Sequence, residues 1–295
     1  MQTNLFDLFG TLPPLAQNDY FESAHLEEIF RTKIAKSQAT GKDGVRIDRF
    51  SAILKSEADL IERKVRGGSY SFTTFKERLI LRGFNRTPRQ ISIPTVRDRL
   101  ALRAICQVLH AFEPKSIGAP PHSLVSGVVK AIRANDQSEN SFVRIDVKDF
   151  FPSLSHAILK RELLYFKFTP LVIDLLMKAV STPTGDAVVP PVKGIPQGLS
   201  ISGALSALYM LRFDKKRHAE NHVYFRYVDD ILLICKTSEA DEILRSIGRT
   251  LRSRGLITHS KGVAGKTEIS PVMNGIDFLG YRIDRNKGRL SPLHT

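Results

Sequence analysis

The sequence predicts an α+β fold built around an antiparallel sheet. Three patterns lead there. Short strand-like runs come in pairs around polar or Gly/Pro-containing turns, as hairpins do. Longer segments with apolar residues at helical spacing separate those pairs. The order is neither a regular strand–helix alternation nor strands alone, which points away from a parallel sheet and from a sandwich.

The elements follow in order along the 295 residues. Residues 1–20 read as an irregular arm, interrupted by Pro13-Pro14. Residues 22–36 predict an amphipathic helix, with Leu26, Ile29, Phe30 and Ile34 on one face. Gly41-Lys42-Asp43-Gly44 breaks the chain, 46–66 is helical again, and Gly67-Gly68 ends it. Residues 78–82 and 89–93 form a hairpin about a turn at Asn85–Pro88. A helix covers 96–112, and the Pro- and Gly-rich stretch 113–122 is a connector. A strand follows at 142–147, then a helix at 156–166 capped by Ser155, and another at 170–180. Residues 181–196, with Pro190-Pro191 and Gly194, read as a loop or a hairpin. A long helix spans 200–217. Two apolar strands lie within 223–235 around a polar pair, then a helix at 239–253 and strands near 256–258 and 276–283.

Hydrophobic residues make up 42% of the chain, enough for a true core and too many for a disordered basic tail. Lys and Arg number 44 against 30 Asp and Glu, a formal net charge of +14. That excess favours a polyanionic partner, nucleic acid ahead of an anionic membrane surface. The charge is uneven. Residues 1–30 contain no Lys or Arg but hold Asp7, Asp19, Glu22, Glu27 and Glu28, while 63–103 carries eleven basic residues against Glu77 and Asp98. The two cysteines, Cys106 and Cys235, lie in apolar runs and read as buried, reduced thiols of a cytoplasmic protein. No run reaches the ~18 apolar residues of a membrane span, and the N-terminus lacks the pattern of a signal peptide. The expectation is a protein with no membrane partner.

The chemistry concentrates in YFRYVDDILLIC at 224–235. Asp229 and Asp230 interrupt an apolar run at a hairpin turn. Asp is a common turn residue, but adjacent carboxylates repel unless a cation lies near. Asp146, in FVRIDVKDFFP, sits in a strand between Ile145 and Val147. It is either an edge residue facing water or a group that needs a partner. Three convergent carboxylates would bind hard divalent cations, the arrangement of two-metal phosphoryl transfer. Between them, Gly194, Pro196 and Gly198 keep side chains away from something close to the backbone.

These motifs, in this order, resemble the reverse transcriptase family, nearest to bacterial group II intron, retron and phage-defence enzymes. TGKDGVRIDRF at 40–50 and TPRQISIPTVRDRLALRAICQVL at 87–109 are similar to its finger motifs. VRIDVKDFFPSLSH at 143–156, GIPQGLSISGALSALYM at 194–210 and FRYVDD at 225–230 are similar to motifs A, B and C. GLITHSKGVAGKTEI at 255–269 and DFLGY at 277–281 are similar to motifs D and E. The resemblance implies a right-hand polymerase: 1–30 an acidic arm and helix start, 31–140 fingers with 157–192 contributing, 141–156 and 193–281 palm, and 282–295 a short tail. It makes Asp146, Asp229 and Asp230 the catalytic metal ligands, helped by the Val147 carbonyl. Phe151 becomes the ring that excludes a ribose 2′-OH, unless it is a core residue beside Phe150. Gln197 and Gly198 lie near the nucleotide and the template base. Arg89 grips the triphosphate, with Arg82 or Arg86 as a second cation. Lys266, or its rival Lys261, assists pyrophosphate departure, and Phe278, Leu279 and Gly280 form a primer grip.

Three weaker features stand beside these. His218 and His222 could share a helix face with Glu220 between them, or be surface residues. Arg97, Asp98 and Arg99 read as salt-bridge braces from the finger motif to the palm, with template phosphate as the alternative partner of Arg97. Leu26, Ile29 and Phe30 could meet a neighbouring subunit or pack on the protein's own fingers.

The resemblance implies an RNA-directed DNA polymerase that uses two Mg²⁺ ions, with Mn²⁺ as an alternative. RNA template, which could be a dedicated structured non-coding RNA, cDNA product and deoxynucleotides would be its partners. Only 14 residues follow Tyr281, too few for the helical thumb of the family. The expectation is a chain with no or a minimal thumb, completed by a homo-oligomer, a partner subunit or the RNA, in anti-phage defence or a retroelement-derived system. Two alternatives stay open: a template-independent or protein-primed nucleotidyltransferase, and a non-catalytic RNA-binding assembly subunit.

Overall fold

The computed structural model describes residues 14–81, 83, 88–112, 119–134, 138–220, 222–262, 266–284 and 290–292. In chain order the first elements are α1 (Pro14–Asp19), α2 (Ser23–Ile29), α3 (Ile47–Ala52), α4 (Leu54–Arg66), β1 (Lys76–Ile80), β2 (Arg89–Ile93) and α5 (Val96–Phe112). Next come α6 (Pro121–Ala134), β3 (Asn140–Lys148), α7 (Phe150–Ser153), α8 (His156–Tyr165), α9 (Pro170–Ser181) and α10 (Ser202–His218). The last are β4 (Val223–Tyr227), β5 (Asp230–Lys236), α11 (Ala240–Ser253), β6 (Ile257–Thr258), β7 (Glu268–Pro271), β8 (Ile276–Phe278), β9 (Tyr281–Ile283) and β10 (Leu290–Pro292). Packing divides them into two units, one of 1–117 with 154–209 and one of 118–153 with 210–295.

The first unit is mostly helical. α2 runs on as a π-helix over Phe30–Ile34, so the expected single helix changes its winding partway. Its apolar face is kept: Leu26, Ile29, Phe30 and Ile34 are all buried within the unit. That corrects the reading in which Leu26, Ile29 and Phe30 wait for a neighbouring subunit. The acids on this segment answer bases on α4, through Glu27 with Lys55 and Glu22 with Arg66. The expected helix over 46–66 is broken at Ile53 into α3 and α4. Residues 14–19, expected to be irregular, are helical. α5 starts from a reciprocal cap: the Thr95 hydroxyl accepts from Asp98 N–H and donates to the Asp98 carboxylate at 2.8 Å. Ser155 and Thr169 cap α8 and α9, the latter with Pro170 in the first turn. β1 and β2 pair antiparallel with Ile80 opposite Arg89.

The second unit is an antiparallel sheet in the order β4-β5-β3-β6, with β7 also on β3. β3 is longer than predicted because it pairs with three strands. Side chains alternate across a strand, so Phe142, Arg144 and Asp146 share one face of β3. Opposite them on β5 stand Ile234, Leu232 and Asp230. The apolar end of this face packs under α6, where Val125, Val128 and Ile132 meet Phe142, Leu232, Ile234, Ile276 and Phe278. α6 begins at Pro121, the end of the predicted connector, and continues through residues assigned no element from sequence. The units also cut the chain elsewhere than the expected fingers–palm division: 118–140 groups with the sheet, and 193–209 with the helices.

The carboxylate end of the sheet

Asp146 and Asp230 are direct cross-strand partners at one end of β3 and β5. Like charges directly opposite repel, so this pairing needs compensation. Asp229 is in the two-residue turn between β4 and β5, and its carbonyl accepts from the Val147 N–H at 3.1 Å. The three carboxylates named from sequence are thus gathered at one end of one sheet. Within the polar pair only Asp229 occupies the turn; Asp230 is the first residue of β5.

Basic side chains stand against two of them, Asp146 and Asp230. Arg144 binds Asp230 with two parallel bonds, Nε to Oδ1 at 3.1 Å and Nη2 to Oδ2 at 2.9 Å, and both groups are nearly buried. Lys266 Nζ lies 3.0 Å from Asp146 Oδ2, and His259 Nε2 lies 3.2 Å from Asp146 Oδ1. Burial pushes the Asp230 carboxyl up, Arg144 opposes that, and Asp146 and Asp229 add to it by repulsion. The donor set fits a hard divalent cation: three carboxylates and the Val147 carbonyl are all oxygen, and their mutual repulsion is what a dication relieves. As the side chains stand, Asp146 and Asp230 are turned to basic partners. Among the described residues no three acids, histidines or cysteines gather closely enough to hold an ion.

Arg144 and His259 were not singled out from sequence. Arg144 carried a signal, being two residues before Asp146 and so on the same strand face. His259 carried none, because only the β3–β6 pairing brings it to Asp146.

Phe151 is half-buried in α7 and stacks edge-on against the buried Phe150, centroids 5.5 Å apart. Phe278 is a core side chain, while Leu279 and Gly280 make the β8–β9 turn, both at positive φ. Any primer contact from this triplet therefore falls to the turn. Lys261 pairs with Asp241 at 2.6 Å on the surface. His218 ends α10 with its ring against Tyr224, whereas His222 lies beyond that helix, so the two do not share a helix face. Cys106 and Cys235 are free and buried.

In the first unit, Gln197 and Gly198 dock on β2. Ser92 N–H donates to the Gln197 carbonyl at 2.7 Å, and Arg89 Nε donates to the Gln197 side-chain oxygen. The close neighbour anticipated at Gly198 is β2 itself: a Cβ there would meet Ile91 Cγ2 at 2.7 Å and Ser92 O at 2.8 Å. Arg82 and Arg86 lie outside the described residues. Arg97 pairs with Glu57, Asp98 accepts from Tyr70, Thr73 and Thr95, and Arg99 donates to Ser37 and Ala39. All three brace the first unit from within; among the described residues Arg97 does so by a salt bridge, and Asp98 and Arg99 by hydrogen bonds to neutral groups. Arg99 also lines a cavity of about 120 Å³ with Lys33, Arg103, Gly198 and Ser200. Among the described residues, Arg99 Nε and Ser200 Oγ are buried without a hydrogen-bond partner.

A family model described as reverse transcriptase (RNA-dependent DNA polymerase) matches residues 76–283, well over half of the chain. The chain belongs to the reverse transcriptase family. One relative of this chain is protein YkfC of Escherichia coli strain K12, 24% identical over 86% of this chain and 78% of YkfC. Two solved structures share the fold. Telomerase from Candida albicans, in complex with a TWJ fragment of telomeric RNA, aligns with a TM-score of 0.55 at 13% identity, over 83% of this chain and 49% of that one. Apo telomerase from Candida tropicalis, truncated from its C-terminal domain, aligns with a TM-score of 0.52 at 15% identity, over 75% of this chain and 55% of that one. The chain spans about half the length of these two structures. The expected α+β class with polymerase fingers and palm is the fold of this chain.

Proposed function

We propose that the chain is an RNA-directed DNA polymerase. The oxygen of a primer 3′-hydroxyl attacks the α-phosphorus of a deoxynucleotide, the hydroxyl proton is released, and the bond to pyrophosphate breaks. The observation that carries this reading is the placement of Asp146 opposite Asp230, with Asp229 in the adjoining turn. Those three carboxylates and the Val147 carbonyl would hold two Mg²⁺ ions. Bound there, the ions supply charge neutralisation at the attacking and leaving oxygens. Lys266 stands at Asp146 with three donors, suited to neutralising or protonating a departing pyrophosphate. Phe151 would stand against a ribose 2′-OH, and Arg89 and Gln197 would serve the incoming nucleotide. The cationic cavity formed by Lys33, Arg99 and Arg103 suits a backbone phosphate. RNA as the template is supported by the family. A role in phage defence or in a retroelement-derived system is the accompanying biological reading, and sequencing the nucleic acid that copurifies with the protein tests it.

The test of the chemistry is Asp229→Asn with Asp230→Asn, which removes two charges and little volume. Primer extension should fall at least 1,000-fold while circular dichroism shows the variant still folded, with a lower thermal midpoint because Arg144 loses its ionised partner. Undiminished extension by that double variant rejects the polymerase assignment. One observation favours a second reading, a non-catalytic RNA-binding subunit: Arg144 already pairs with Asp230 and Lys266 with Asp146. RNA binding by the wild-type chain without Mg²⁺-dependent incorporation would select it.

A further inference from the structure

The turn that carries Asp229 is built on a residue ill-suited to it. Val228 has φ +56, a left-handed conformation that a β-branched side chain disfavours. Hairpin turns needing a positive φ usually place Gly or Asn there. Something must therefore hold the backbone, and one side chain reaches it: Arg226 Nη1 donates to the Val228 carbonyl at 2.9 Å.

Arg226 is itself fixed. Its Nε donates to Asp214 Oδ1 at 2.8 Å, and its Nη2 donates to Asp214 Oδ2. The Tyr224 hydroxyl donates to Asp214 Oδ1 at 2.6 Å. Both charged side chains are almost fully buried, at 10% exposure for Arg226 and 15% for Asp214. Burial works against the Arg226 charge, and the Asp214 carboxylate outweighs it, so the guanidinium stays cationic. Tyr224 and Arg226 alternate along β4 on one face, and Asp214 comes from the last turns of α10. The result is a continuous link from α10 through one carboxylate and one guanidinium to the turn backbone, entirely within the second unit.

We infer that Asp214 is a positioning residue: through Arg226 it holds the Val228 carbonyl and so sets where Asp229 and Asp230 stand. This rests on the proposed polymerase reading, because the hairpin it positions is the one assigned to the chemistry. A buried ion pair is a poor source of stability beside well-packed apolar residues, which makes a positional role the better account of it.

The test combines primer extension, deuterium exchange of the 224–232 segment and a thermal melt. Asp214→Asn keeps the shape and loses the charge, and Arg226→Lys keeps the charge and loses the fork. Each should lower kcat at least 30-fold, with the KM for deoxynucleotide changed less than threefold. Exchange of the 227–231 amides should rise at least tenfold, an effect absent in Glu242→Gln on the exposed face of α11. Should Asp214→Asn misfold, Asp214→Asn with Arg226→Gln removes both buried charges and serves instead. In a Val228→Gly background the turn no longer opposes its own conformation, so Asp214→Asn should cost less than fivefold. Equal losses in the Val and Gly backgrounds, or unchanged exchange at 227–231, overturn the inference. Absence of extension by the wild-type chain would reject the polymerase reading alone, and the exchange result would still decide the link.

Discussion

Arg144 serves the fold and a charged site at once. It sits two residues from Asp146 on the same face of β3 and neutralises Asp230 across the strand pair. Without it, two carboxylates would face each other at the partly buried end of a sheet. Asp146, Asp229 and Asp230 stood out in the sequence because charge interrupts an apolar run. Of the groups that meet Asp146 and Asp230, Lys266 was legible through its motif, whereas Arg144 and His259 were not singled out; the three come from separate segments. Gly198 carries the opposite lesson. Its need for a missing side chain was legible, and only the structure named β2 as the cause. Gly198→Ala combines a Cβ clash with φ +102. It should cost about 1–3 kcal/mol, measured by urea unfolding against wild type.

Among the elements, those with strong periodicity or local caps were legible. Val96–Phe112 matches its predicted span, and Ser155 caps its helix through a bond accepted from the Ile158 N–H. α6 was missed because the Pro- and Gly-rich approach to it masked its start, and its apolar face is defined by the sheet it covers. That packing makes a testable contrast between two helical glycines. A Cβ at Gly127 would lie 2.9 Å from the Phe225 ring, whereas none of the described residues stands within 4 Å of one at Gly248. Gly127→Ala should destabilise by about 1–3 kcal/mol through overpacking. Gly248→Ala should stabilise by about 0.5–1 kcal/mol, because Ala restricts the unfolded chain and suits a helix. Chemical denaturation of the two variants checks both signs.

For the whole molecule the formal charge of +14 bears on binding strength more than on fold. If nucleic acid is the partner, affinity should fall linearly on a log–log plot against salt. Lys33→Gln and Arg103→Gln should each weaken binding similarly for unrelated sequences and reduce the slope by roughly 0.7–0.9. Filter binding over a salt series measures this. Among the described residues no helix is long and apolar enough to cross a membrane. The sequence by itself determined the α+β class, the three carboxylates and the family motifs, because these depend on residue type, local periodicity and order along the chain. Tertiary structure alone decided that Asp230 faces Asp146, that Arg144 meets Asp230 while Lys266 and His259 meet Asp146, that Phe278 is core, and that Asp214 reaches the carboxylate turn through Arg226. Those outcomes depend on strand register and on contacts between distant segments, and local sequence specifies neither.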